Sequence, residues 1–173
     1  DDLRDTYSTV TKWVLSLSFP AFLLMALFSD DVIKILFGAE YATGAEALVI
    51  LAFGFFISTV LDSASDIISA SGRTKITMGC YLTGSVANFC LNLYLIPLFG
   101  INGAAMATAL SSVFTAILYF IFAYRISKLQ PFELNHLKPV FSAFVAVFIV
   151  YALTKYLIGV SFFSLVVMFL VFL

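Results

Sequence analysis

Six apolar segments, closely spaced along 173 residues, leave this chain few ways to fold. They run from Trp13 to Phe28, Ala45 to Ala70, Ile76 to Phe99, Ile101 to Tyr124, Pro139 to Ile158 and Val160 to Leu173. A helix needs about 20 apolar residues to cross the hydrocarbon core, and most of these segments are that long. Backbone amides and carbonyls inside lipid must find partners within the segment, which selects helices. A barrel would need shorter strands with alternating polarity, and Phe144 to Val150 does not alternate. Composition agrees, with 62% apolar and 11% charged residues, against about 25% charged in an ordinary soluble domain. The expected fold class is an all-α polytopic membrane protein with about six transmembrane helices.

Loop charges give an orientation. Arg4 and Lys12 precede the first span, Arg73 and Lys75 join the second to the third, and Arg125, Lys128 and Lys138 join the fourth to the fifth. The intervening connections hold Lys34 and Lys155 alone. Cytoplasmic loops retain Lys and Arg, so the N-terminus is expected on the cytoplasmic side of the cell membrane. No small-residue cleavage pattern follows the first apolar run, which argues against a cleaved signal. The start at Asp1 and a last apolar run of 14 residues predict an internal fragment truncated at both ends.

The first outer connection, Ser29-Asp30-Asp31 followed by Val32 to Phe37 and Gly38, predicts a short interfacial helix. Ser29 would cap it, the Asp pair would meet the positive end of its dipole, and Gly38 would close it. Pro20 predicts a kink in the first span. Trp13, Tyr119, Tyr124 and Tyr156 stand near span ends and read as interfacial anchors, and His136 as a solvated loop residue. Cys80 and Cys90 lie inside one apolar stretch and read as small packing residues.

Polar residues inside the spans recur at helical spacing. Ser58, Asp62, Ser65, Asp66 and Ser69 share one face of the second span, and Thr77, Tyr81, Gly84, Ser85, Asn88 and Asn92 form a stripe along the third. The fourth carries small residues at every fourth place, Gly103, Ala107, Ser111 and Thr115, a pattern that lets two helix backbones approach closely. An acid at the centre of a span costs about 2.5–3.5 kcal/mol and marks function by default. Two readings of Asp62 and Asp66 stay open: they face a water-filled groove, or they approach the interface and pair with Arg73 or Lys75. Asn88 and Asn92 are either groove residues or hydrogen-bonding glue between helices.

Several classes of activity find no support. The net charge of −1 offers no basic surface for nucleic acid. No phosphate loop, dinucleotide fingerprint, zinc helix or nucleophile elbow occurs, and a single His removes most metal and triad constellations. No catalytic residue, metal site or cofactor is expected, and the chain is not expected to be an enzyme.

Three stretches carry a resemblance: Phe37-Gly38-Ala39-Glu40-Tyr41, Ser71-Gly72-Arg73-Thr74-Lys75, and the run from Ala87-Asn88-Phe89 through Ile96-Pro97-Leu98-Phe99-Gly100-Ile101-Asn102-Gly103 to Ala104-Ala105. In this order they resemble the C-terminal part of a Wzx-type polysaccharide or oligosaccharide flippase, within the multidrug/oligosaccharidyl-lipid/polysaccharide exporter superfamily. The resemblance implies the C-terminal lobe of a two-lobed exporter. Residues 1–43 would hold the first span and the outer interfacial helix, and residues 44–173 a polysaccharide-synthesis C-terminal-type bundle. It further implies transport of a lipid-linked oligosaccharide by alternating access, with an N-terminal lobe and the bilayer as partners. On that basis Ser58, Asp62, Asp66, Tyr81, Ser85, Asn88 and Asn92 are expected to line the substrate groove, and Arg73, Lys75 and Arg125 to meet the anionic headgroup. The alternatives are a drug/cation antiporter of the same superfamily and a non-transporting membrane scaffold.

Overall fold

The computed structural model describes residues 21–127, with Val14, Ser18 and Phe19 ahead of them. The fifth and sixth expected spans, together with Trp13, Pro20, His136 and Tyr156, lie outside the described residues. Every described element is helical, as expected of an all-α membrane protein. Helical residues 21–27 lead into α1 (Ser29–Leu36), a 3-10 turn (Ala39–Gly44), α2 (Ala45–Ala70) and α3 (Thr74–Ser127). The expected division after residue 43 falls within the 3-10 turn.

At the start of α1 the structure corrects one expectation. Ser29 is the first helical residue and makes no capping bond; Phe28 occupies the cap position. The chain stays hydrogen-bonded through the bend, Phe28 N donating to Leu24 O at 3.0 Å and Val32 N to Phe28 O at 2.8 Å. Amides already satisfied by the preceding turn leave a serine oxygen nothing to cap. Asp30 and Asp31 do occupy the first turn, and the chain leaves the helix through Gly38 at φ +99°.

The turn after α2 has a full set of closing bonds. Gly72 takes φ +72°, its N–H donates to Ser69 O at 3.0 Å, and Arg73 N–H reaches back to Ile68 O at 3.2 Å. This is the Schellman arrangement, which places a glycine where a side chain would be strained. Ile76 N then donates to Arg73 O at 2.9 Å, so α3 begins with almost no loop between.

Helix α3 is 54 residues long. Straight, it would measure about 80 Å, more than twice the hydrocarbon thickness. It is broken at Gly100, whose φ +57° and ψ −127° are not helical, a conformation open to glycine and costly for other residues. The break divides α3 into a first arm, residues 74–99, and a second arm, residues 101–127. Residues roughly equidistant from Gly100 then face one another: Gly103 lies against the Leu95 carbonyl, Gly84 against Thr115, and Asn88 bonds Ser111. The arms are therefore antiparallel and each is long enough to cross a bilayer.

Helix α2 packs on this hairpin, parallel to the second arm. Glu46 meets Asn102, and Gly54 meets Ala109 so closely that a Cβ on Gly54 would overlap it. Without a hydrophobic drive between helices in lipid, association rests on close packing of small residues. The second arm supplies Ala105, Ala107, Ala109, Ala116 and Ala123, all buried. Near the α2–α3 turn, Ala64, Ile68, Cys80, Tyr119 and Ala123 form a core shared by all three helices. Large side chains such as Met78, Leu82, Val86, Phe89 and Leu93 on the first arm are exposed, as suits a lipid-facing surface.

Candidate functional site

Three helices converge on a cavity of about 520 Å³, inside the about 300–1,000 Å³ of ordinary small-molecule sites. Phe55, Ser58, Thr59 and Asp62 come from α2, and Tyr81, Gly84, Ser85 and Asn88 from the first arm of α3. The second arm contributes Thr108, Ser111, Ser112, Thr115 and Tyr119. Each set repeats at three- or four-residue steps, so each is one helical face. Residues 81–88 cover about 10 Å of helix axis, which places the cavity near the middle of the bundle.

Local hydrogen bonds hold the walls. Ser58 Oγ donates to Phe55 O at 3.0 Å, Ser85 Oγ to Tyr81 O at 3.0 Å, Ser111 Oγ to Thr108 O at 3.0 Å and Thr115 Oγ1 to Ser111 O at 2.8 Å. Serine and threonine in lipid-spanning helices satisfy their protons this way, on carbonyls three or four residues back. Across the hairpin, Asn88 Nδ2 donates to Ser111 Oγ at 2.8 Å. Asn92 Nδ2 in turn donates to Asn88 Oδ1 at 2.9 Å and to Asn88 O at 3.0 Å. Gly84 brings the arms together at this level, since a Cβ there would overlap Thr115.

The structure brings together Ser58, Asp62, Tyr81, Ser85 and Asn88 of the groove residues expected from sequence. Asp66, one turn from Asp62 toward the α2–α3 turn, is exposed and outside the cavity lining. Asn92 is turned back upon Asn88. Asn88 both bonds across the hairpin and lines the cavity. Arg73 follows α2, Lys75 is the second residue of α3, and the parallel register puts Arg125 level with the end of α2. All three are exposed at one end of the bundle, and none lines the cavity.

Tyr119 corrects a second expectation. It is not an interfacial anchor but 6% exposed, with its hydroxyl directed at the Thr77 carbonyl 3.5 Å away. Extending the Ser111 and Thr115 register by one further turn reaches Tyr119, so the signal was present in the spacing. A second, apolar cavity of about 410 Å³ lies between the first span and α2, lined by Phe22, Met25, Leu48, Leu51, Phe56 and neighbours. The Phe22 and Phe56 rings stack there with centroids 4.8 Å apart. No periodicity singled it out, because its walls are the same apolar residues that make the spans. Among the described residues no group of three metal-ligating side chains converges.

Comparison with known proteins adds an independent line. The chain is 38% identical over 89 residues to an uncharacterized membrane protein, MJ1068, of Methanocaldococcus jannaschii, covering 51% of this chain and 18% of that protein. It is 34% identical over 100 residues to the "Probable low-salt glycan biosynthesis flippase Agl15" of Haloferax volcanii, covering 58% of this chain and 21% of the relative. The chain thus spans about a fifth of the length of the curated relatives it matches. No solved structure matches it. The MatE family model matches residues 1–94, more than half of the 173 residues, and the chain belongs to the MatE family.

Proposed function

We propose that this chain is part of a membrane flippase that moves a lipid-linked oligosaccharide, on a polyprenyl phosphate or pyrophosphate, from the inner to the outer leaflet. The observation that supports it is the hydroxyl- and amide-lined cavity at mid-bundle, in helices whose other faces carry large exposed apolar side chains. A glycan needs such partners to cross the hydrocarbon, while its lipid remains in the bilayer. The name of the Haloferax relative points the same way.

In this reading the end bearing Arg73, Lys75 and Arg125 faces the cytoplasm, as the distribution of basic loops suggests. These three attract the phosphate at the mouth, Asp62 and Asp66 gate the groove or couple it to a cation, and a preceding N-terminal lobe completes the alternating-access pair. The protein then acts in the cytoplasmic membrane without catalysing a covalent step. One observation favours a drug/cation antiporter instead: the charged group lining the cavity is a carboxylate, Asp62.

The test reconstitutes the full-length transporter in vesicles and follows a fluorescent lipid-linked oligosaccharide between leaflets. Transfer that falls at least tenfold with Asp62→Asn is the expected result. No transfer by the intact protein, with normal efflux of an organic cation, would replace the flippase reading by the antiporter. An inert protein whose positions 62 and 88 resist a membrane-impermeant thiol reagent from both sides, as cysteines, would favour the scaffold.

A further inference from the structure

Of the nine hydroxyls on the cavity wall, five have their protons on backbone carbonyls. Ser58, Ser85, Ser111 and Thr115 each donate to a backbone carbonyl of their own helix, and Asn88 spends an amide proton on Ser111. What these groups turn toward the cavity is lone pairs. Asp62 adds a carboxylate, and no Lys, Arg or His stands among the lining residues. From these bonds and from Asp62, the one charged group among the lining residues, we infer that this wall is weighted toward accepting hydrogen bonds, and that it receives the uncharged or amine-bearing part of a donor-rich ligand and turns away acidic groups.

The inference rests on the flippase reading and deepens it by naming the substrate class. Sugar hydroxyls and amino groups supply protons to Asp62 and to the hydroxyl oxygens already committed as donors, and sugar oxygens accept from Thr59, Tyr81, Thr108 and Ser112. A uronic acid or phosphate brings more acceptors and a negative charge to Asp62, with no cation beside it. The basic residues lie apart: Tyr81 and Lys75 are six residues from each other on one helix, about 9 Å along the axis. The ligand is therefore sorted along its length, with sugar in the cavity and anionic phosphate toward the basic end. Asp62 is the discriminating residue, acting on charge sign and not on size.

The experiment uses the full-length transporter with Cys80 and Cys90 replaced and Ser85→Cys as reporter. Thiol labelling is measured with a neutral oligosaccharide, the same oligosaccharide carrying one glucosamine, and the same carrying one uronic acid. The expected result is protection by the first two at concentrations about tenfold or more below the third, a factor within reach of one like-charge contact. Asp62→Asn, which removes the charge and adds a donor, brings that ratio close to one. Equal or better protection by the uronic acid form overturns the inference while leaving transport of glycans intact. Protection by tetraphenylphosphonium, a cation without donor groups, and by no sugar overturns it too. Leaflet transfer of the lipid-linked glycan in the same preparation reports separately on the flippase reading.

Discussion

Two neighbouring faces of α2 meet the same hairpin and do opposite things. Gly54, Ala64 and Ile68 belong to the tight seam and core against α3, close enough at Gly54 to admit no side chain. Ser58, Thr59 and Asp62, from the intervening turns, border a void. The small residues hold the helices together, and the polar residues are kept partly apart by the same backbone geometry. Polarity within a membrane helix is thus not a measure of its contribution to packing, since in lipid close contact between small side chains is what associates helices.

Substitutions at the two faces should separate these roles. Gly54→Leu forces a large side chain into Ala109 and should cost about 1–3 kcal/mol or more, seen as loss of folded protein and a lower Tm in detergent. If the full-length variant keeps its Tm, the seam is not what holds α2 in place. Gly100→Ala tests the hairpin that presents both faces, and should cost about 1–3 kcal/mol through strain at a positive φ, read by the same melting curve. On the polar side, Asn88→Ala removes the bond to Ser111 and should cost about 0.6 kcal/mol, at most about 1.7, by analogy with other interhelical polar bonds in membranes. Asp62→Asn should move stability by less than about 0.5 kcal/mol while transport drops, a split that a packing residue would not show. A large fall in Tm with Asp62→Asn would merge the two faces into one structural role.

Much of the scaffold was legible beforehand because its signals are one-dimensional. Apolar length marks a span, and the bounds expected for the second, Ala45 to Ala70, coincide with α2. The break between the third and fourth segments falls at Gly100, where a glycine interrupts the apolar run. Two members of the small-residue pattern of the fourth segment, Gly103 and Thr115, do meet close neighbours, Leu95 and Gly84. What eluded the sequence depends on two helices at once. Thr115 and Ser111 read as packing residues along their own helix, yet they also wall the cavity, because the first arm carries Gly84 opposite. Tyr119 stood close enough to a span end to suggest an anchor, and it is α2 together with the first arm of α3 that buries the ring. Asp66 shares the face of Asp62, but one turn of axial displacement carries it past the cavity. Ser29 looked like a cap because composition cannot reveal that the preceding turn continues its hydrogen bonds through Phe28.

The hairpin at Gly100 has a mechanical meaning. Its arms are joined with no intervening loop, and Gly103 sits directly on the Leu95 carbonyl. A ratchet of one arm past the other by a helical turn, about 5.4 Å, would need slack that this joint does not contain. The two arms are joined by a fixed elbow, so the alternating-access mechanism proposed above requires the pair to tilt together.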